Sequence, residues 1–142
     1  MIYTTMIRKA MAIAYKAHNG QVDKAGVPYI FHPIHLAEQM ETEDECIVAL
    51  LHDVIEDTSI TIEQLEKEFS DKVIQALRLL THDKSVEYMK YINRIKPNLL
   101  AKKVKKKDLE HNCDLTRLPE ITEKDRKRQE KYLKAIELLN ES

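Results

Sequence analysis

Glycine punctuates this chain in one place. Gly20 and Gly26 are its two glycines, and both fall in the stretch NGQVDKAGVPYIFHP with Pro28 and Pro33, two of the four prolines. A sheet-rich chain needs turn residues every eight to twelve residues or so. No glycine follows Gly26, and no convincing period-two alternation appears. The chain carries helix starts instead. Thr42 with Glu45 and Thr61 with Gln64 have the capping-box spacing. Ser70, Ser85 and Thr122 are N-cap candidates. Pro33 and Pro97 suit first turns, where a missing N–H costs nothing, and Gly20 can close the first helix in a left-handed conformation. The expectation is an all-α fold of about seven to eight helices, at roughly 4–19, 33–41, 43–56, 61–68, 71–81, 86–96, 98–117 and 122–139.

At 142 residues the chain fits a single domain of ordinary size, 1–142, able to bury about two thirds of its unfolded surface. The formal net charge of -1 supplies no field that would select nucleic acid or an anionic membrane. No apolar run approaches the ~20 residues needed to span a bilayer. Arg8 and Lys9 interrupt what would have to be the apolar part of a signal peptide. Cys46 and Cys113 stand in no metal or disulfide spacing, so a reducing cytoplasm is expected.

The segment CIVALLHDVIEDT is the most informative. Cys46 to Leu51 is apolar all round, the mark of a buried helix. His52 and Asp53 follow directly, expected inside the same helix, with His52 sharing a face with Glu56 and Asp53 with Asp57. Three carboxylates and an imidazole then crowd the end of a core helix. Burying unpaired carboxylates costs several kcal/mol, and acidic groups near a helix C-terminus oppose its dipole. A divalent cation would offset both penalties.

A second segment, KPNLLAKKVKKKDLEHNCDLTRL, places Asp108 where helical periodicity expects an aliphatic residue, between Val104 and Leu115. Asn112 lies one turn further on that face. The surrounding lysines read as a solvated face, with Lys105 turned toward phosphate. A third carrier is His32, at the end of the glycine-containing loop. His32, His52, Asp53 and Asp108 form a mixed nitrogen and oxygen set that suits Mn²⁺ or Fe²⁺ better than tetrahedral zinc. Four protein ligands on a six-coordinate ion leave two positions open for water and a phosphoryl oxygen.

The stretches AHNGQVDKAGVPYIFHP, ALLHDVIEDT and VKKKDLEHN resemble an HD-domain protein, and more narrowly the hydrolase domain of the RelA/SpoT group and its small stand-alone relatives. The resemblance runs from about residue 6 to residue 118 and leaves 122–139 as a closing helix. It implies a compact HD-domain bundle and an enzyme, a metal-dependent phosphohydrolase acting on a nucleotide. His32, His52, Asp53 and Asp108 would hold Mn²⁺. Glu56 and Asp57 would orient or deprotonate the attacking water, and Lys24 and Asn112 would line the nucleotide pocket. The family reaction is removal of the 3′-pyrophosphate of guanosine tetra- or pentaphosphate; some relatives take the 2′-phosphate of NADPH. Asp23 and Asp114 depart from the pattern, each standing where those hydrolases carry an arginine. That is the wrong sign for a highly phosphorylated substrate unless Arg117 or the lysines near 105 substitute.

Blander readings stand beside these. His52–Asp53 alone would be read as a structural pair, and Asp108 alone as a capping or salt-bridged residue. Asn112 could simply hydrogen-bond its own helix. His18, His35 and His82 read as structural or exposed, and His111 as packing beside the site without ligating. A non-catalytic nucleotide-sensing module is the competing function of another class. It predicts binding without turnover.

Overall fold

The computed structural model describes residues 1–141, and its regular structure is helical. In order the helices are α1 (Thr5–Ala17), α2 (Phe31–Glu38), α3 (Glu43–Leu51), α4 (Val54–Asp57), α5 (Ile62–Glu66), α6 (Asp71–Leu80), α7 (Tyr88–Ile95), α8 (Leu99–Cys113) and α9 (Glu123–Asn140), with a 3₁₀ turn at Leu115–Arg117. No strand occurs among the described residues; a lone β-bridge joins Val22 and Pro28.

Most of the starts follow from the caps read in the sequence. Capping boxes form at Thr42–Glu45 and Thr61–Gln64, and a third at Thr122–Asp125. Ser70 caps α6. Ser85 does not cap α7. Its side chain is tied to Asp83 instead, and Glu87 accepts from the N–H groups of Met89 and Lys90. Asn98, not Pro97, opens α8. Gly20 adopts φ +84° just past the end of α1, and Gly26 adopts φ +82°. At Gly26 nothing crowds the position where a side chain would start, so the demand for glycine there comes from the backbone dihedral. The loop closes on itself through Asp23 N to Val27 O (2.8 Å) and Tyr29 N to Gln21 O (2.9 Å).

Helix α3 is the axis of the core. All six residues from Cys46 to Leu51 are buried, because α1, α2, α6 and α8 all pack against it. Each fully buried leucine here stabilises by about 1.5–3 kcal/mol. Helix α9 closes the bundle over α8 and α7.

Two expectations are corrected. The predicted helix 43–56 is broken, which is why the structure has one helix more than anticipated. It stops at Leu51, His52 and Asp53 form a turn, and α4 starts at Val54. Asp53 (φ −105°, ψ −1°) leaves the helical path and becomes the N-cap residue of α4. Glu56 and Asp57 therefore lie in a new first turn rather than at the C-terminal end of a long helix. His32, in turn, sits in the first turn of α2, which begins at Phe31, rather than in the loop before a helix starting at Pro33.

Candidate active site

The broken helix, the start of α2 and the middle of α8 meet at one point. Ligand-type atoms of His32, His52, Asp53 and Asp108 all lie within 4.8 Å of one another. His32 Nε2 is 2.9 Å from Asp108 Oδ1, and His52 Nε2 is 2.9 Å from Asp53 Oδ2 and 3.4 Å from Asp108 Oδ1. His32, His52 and Asp108 are buried, and Asp53 is partly buried. Asp108 thus points inward, as the interruption of its apolar stripe suggested.

The tautomers follow from the other ring nitrogens. His52 Nδ1 lies 2.6 Å from Ala49 O, and a carbonyl can only accept, so Nδ1 carries the proton and Nε2 faces the cluster. That Nε2 is buried and has no aligned hydrogen-bond partner, although Asp53 is close by distance. A buried lone pair facing two carboxylates is costly in a protein interior. A cation between them resolves it, and two imidazoles with two carboxylates are a suitable donor set for a divalent metal.

The same two carboxylates favour positive charge at this point. Burial alone would lower the His52 pKa, but the Asp53 and Asp108 carboxylates outweigh it and hold the imidazole well above its usual range. Burial would raise Asp108, but Lys105, His32 and His52 hold it well below the usual carboxylate range. Asp53 is likewise lowered, His52 overcoming burial. Asp57 goes the other way, to about 6, through burial and then the neighbouring Asp53 and Glu56 charges.

Two cavities open from the cluster. An outer one of about 320 Å³ is lined by Lys24, Tyr29, His32, Asn112, Arg117 and Arg128, among others. An inner one of about 170 Å³ is lined by Asp53, Glu56, His82, Tyr91, Lys105 and Asp108, among others. Asn112, Tyr29 and Tyr132 border both. Lys105 Nζ donates to Asp108 Oδ2 at 2.9 Å, and Asn112 Nδ2 donates to Asp108 Oδ1 at 3.1 Å. Glu56 Oε1 accepts from the His82 backbone N–H at 2.7 Å, which aims it into the inner cavity. Asp57 lines neither of these two cavities; its backbone carbonyl is held by Gln21 Nε2 at 2.9 Å.

The HD domain family is matched over residues 10–117, a span that contains all four clustered residues. The chain belongs to this family. Among its relatives, the guanosine-3′,5′-bis(diphosphate) 3′-pyrophosphohydrolase of Haemophilus influenzae is 48% identical over 67 residues, 44% of this chain and 10% of that protein. The putative chloroplastic GTP diphosphokinase RSH1 of Arabidopsis thaliana is 43% identical over 72 residues, 47% of this chain and 8% of its own length. The matched stretch spans about a tenth or less of the length of these curated relatives. A solved structure described as a metazoan ortholog of SpoT that hydrolyses ppGpp superposes with a TM-score of 0.82 at 25% identity, covering 99% of this chain and 88% of that one.

Tyr29 and Tyr91 at the HD site were not singled out in the sequence, and His82 was read there as structural or exposed. Tyr29 donates its hydroxyl to Asp53 Oδ2 and packs between the rings of His18 and His32. Its signal was its place in PYIFHP, three residues before His32, on the same side of the chain turn. His82 and Tyr91 stack at 4.4 Å between ring centroids and wall the inner cavity. They come from the α6–α7 region, where no spacing relative to the motifs marked them. Arg117 was offered as a substitute for the missing arginines. It is instead engaged by Asp23, at 3.5 Å, and by the His111 carbonyl, at 2.9 Å.

Proposed function

We propose that this HD domain is a metal-dependent phosphohydrolase of nucleotides, with removal of the 3′-pyrophosphate of guanosine tetraphosphate as its reaction. The observation that carries the reading is the four-residue cluster with the unpartnered His52 Nε2 at its centre. The relatives that act on this class of compound support the substrate. His32, His52, Asp53 and Asp108 hold the ion in this reading, and Mn²⁺ is the ion proposed. Once bound, a divalent cation acidifies water and withdraws charge from a phosphoryl group.

The chain's own residues do the rest. Glu56, with one carboxylate oxygen fixed by the His82 N–H, keeps the other free to take a proton from the attacking water. Glu56 returns that proton to the departing 3′-oxygen, while Asp57, which lines neither cavity, steadies the turn that carries Glu56 through its carbonyl bond to Gln21. The P–O3′ bond breaks, the water oxygen becomes bonded to phosphorus, and one proton passes to the ribose oxygen. Lys105 offers an ammonium to phosphoryl oxygens in the inner cavity, while Lys24 and Asn112 border the outer one that takes the nucleoside.

A second reading within the class is favoured by the outer cavity's charges. Arg117 is paired with Asp23, and Lys24 and Arg128 both with Asp125. With Asp114 also on the wall, three carboxylates balance three cations. A balanced pocket favours NADPH or a nucleoside phosphate over a substrate with two diphosphate groups.

Both readings take 1–142 as one catalytic unit with a small-molecule partner. No helix among the described residues is long and apolar enough to cross a membrane, and Cys46 and Cys113 are free thiols. These points support the cytoplasmic setting we propose. The deciding experiment loads the purified chain with Mn²⁺ and compares kcat/KM for guanosine tetraphosphate, NADPH and nucleoside phosphates. Pyrophosphate release faster than from an Asp53→Ala control supports the first reading. Release of inorganic phosphate from the simpler substrates supports the second, and no turnover above the control rejects both.

A further inference from the structure

His32 and His52 are oriented by different devices. His52 Nδ1 donates to a backbone carbonyl of its own helix, Ala49 O, which cannot rotate away. His32 Nδ1 instead meets another imidazole, His111 Nδ1, at 2.7 Å, with the two ring planes 9° apart. At that distance one of these nitrogens donates and the other accepts, and which ring owns the proton decides what His32 can do. We infer that His111 is the positioning residue for His32: a neutral imidazole whose Nδ1 accepts the His32 Nδ1 proton and so directs the His32 Nε2 lone pair at the metal cluster. This rests on the metal-dependent reading above, because an imidazole that ligates through Nε2 carries its proton on Nδ1.

The surroundings of His111 suit that role and no other ligand role. Its Nδ1 is turned to His32, away from the four converging atoms. Among the described residues no carboxylate hydrogen-bonds its ring, so His32 is the hydrogen-bond partner of Nδ1. The residue is held through both its ring and its backbone. His35, one turn after His32 on α2, packs on it with centroids 4.3 Å apart. Arg117 Nη1 donates to the His111 carbonyl at 2.9 Å and is anchored in turn by Asp23 at 3.5 Å. Asp23 and Arg117, a departure and a non-substitute when judged as phosphate binders, thus acquire a structural purpose in supporting this relay. A neutral acceptor behind His32 also differs in effect from a carboxylate. It fixes orientation while raising the ligand's basicity less, which leaves more positive charge on the ion.

The test uses Mn²⁺ itself as the probe, with affinity read by titration calorimetry on wild type, His111→Phe and His111→Asn. Asparagine keeps an acceptor oxygen near the position of Nδ1, whereas phenylalanine keeps the ring and loses the acceptor. The expected result is roughly 10–100-fold weaker binding in His111→Phe, with His111→Asn restored to near wild-type affinity. A role in packing alone would give the opposite order, since phenylalanine preserves the ring. If His111→Phe does not fold by circular dichroism, His111→Asn against His111→Gln, whose acceptor is displaced by a methylene, provides the same contrast. Wild-type affinity in a folded His111→Phe, or equal weakness in His111→Asn, overturns the inference while leaving the metal reading intact. Absence of Mn²⁺ binding by wild type overturns both.

Discussion

Lys105→Met isolates the most exposed wager in the site. Lys105 Nζ lies 2.9 Å from Asp108 Oδ2, with the two side chains 13% and 6% exposed. At that distance and an effective dielectric near 20 the gross attraction is about 6 kcal/mol. Removing one member of a buried pair costs about 3–5 kcal/mol, because the other is left uncompensated. Here the lower end applies. The pair borders a cavity of about 170 Å³ that admits water, and Asp108 keeps its contacts to His32 and Asn112. We expect Lys105→Met to lose about 3 kcal/mol in urea unfolding with a chelator present, a midpoint shift near 1.5 M for a slope of about 2 kcal/mol/M. In an Asp108→Asn background the same change should cost under about 1 kcal/mol, since the charge it compensated is gone. Mn²⁺ affinity should move the other way. A cation removed from beside a divalent-ion site tightens ion binding, by about tenfold or more, while turnover falls. Additive losses in the double variant, or weaker Mn²⁺ binding by Lys105→Met, would refute the reasoning.

Three further outcomes are expected. Glu56→Gln should lower kcat by about 10²–10⁴ while Mn²⁺ affinity, measured by calorimetry, stays near that of wild type; a parallel loss of affinity would mean that Glu56 holds the ion. Asp23→Asn keeps the acceptor oxygen for the Ala25 and Val27 N–H groups but releases Arg117, so kcat/KM for guanosine tetraphosphate relative to a nucleoside monophosphate should rise roughly three- to tenfold, and an unchanged ratio would count against the charge argument. Glu45 is lowered in the folded chain because its bonds to the Glu41 and Thr42 N–H groups and to Lys103 outweigh burial. Its stabilisation is therefore present above the unfolded carboxylate range and lost as pH falls through the folded value, so Glu45→Gln should flatten the acid limb of a Tm-against-pH curve, and a curve parallel to wild type would contradict this.

The helical fold was legible because its starts are written in short-range chemistry. Thr42, Thr61, Ser70 and Thr122 each bond an N–H three residues on. The cluster of His32, His52, Asp53 and Asp108 was legible for a different reason. His52, Asp53 and Asp108 are polar where periodicity demands apolar side chains. The break at Asp53 was hidden because Val54 and Ile55 continue a helical pattern. Tyr29, His82 and the His32–His111 contact were also out of sight. Their significance lies in partners 24, 26 and 79 positions away, which no spacing rule connects. His111 was read as packing beside the site without ligating. Its position agrees, and the hydrogen bond to His32 gives that packing a purpose.

Diffraction from crystals grown with Mn²⁺, collected at a wavelength where manganese scatters anomalously, addresses the central claim most directly. The account predicts one strong anomalous peak within coordination distance of His32 Nε2, His52 Nε2, Asp53 and Asp108, with His52 Nδ1 still bonded to Ala49 O. A peak elsewhere, or none in crystals that keep this fold, would contradict it.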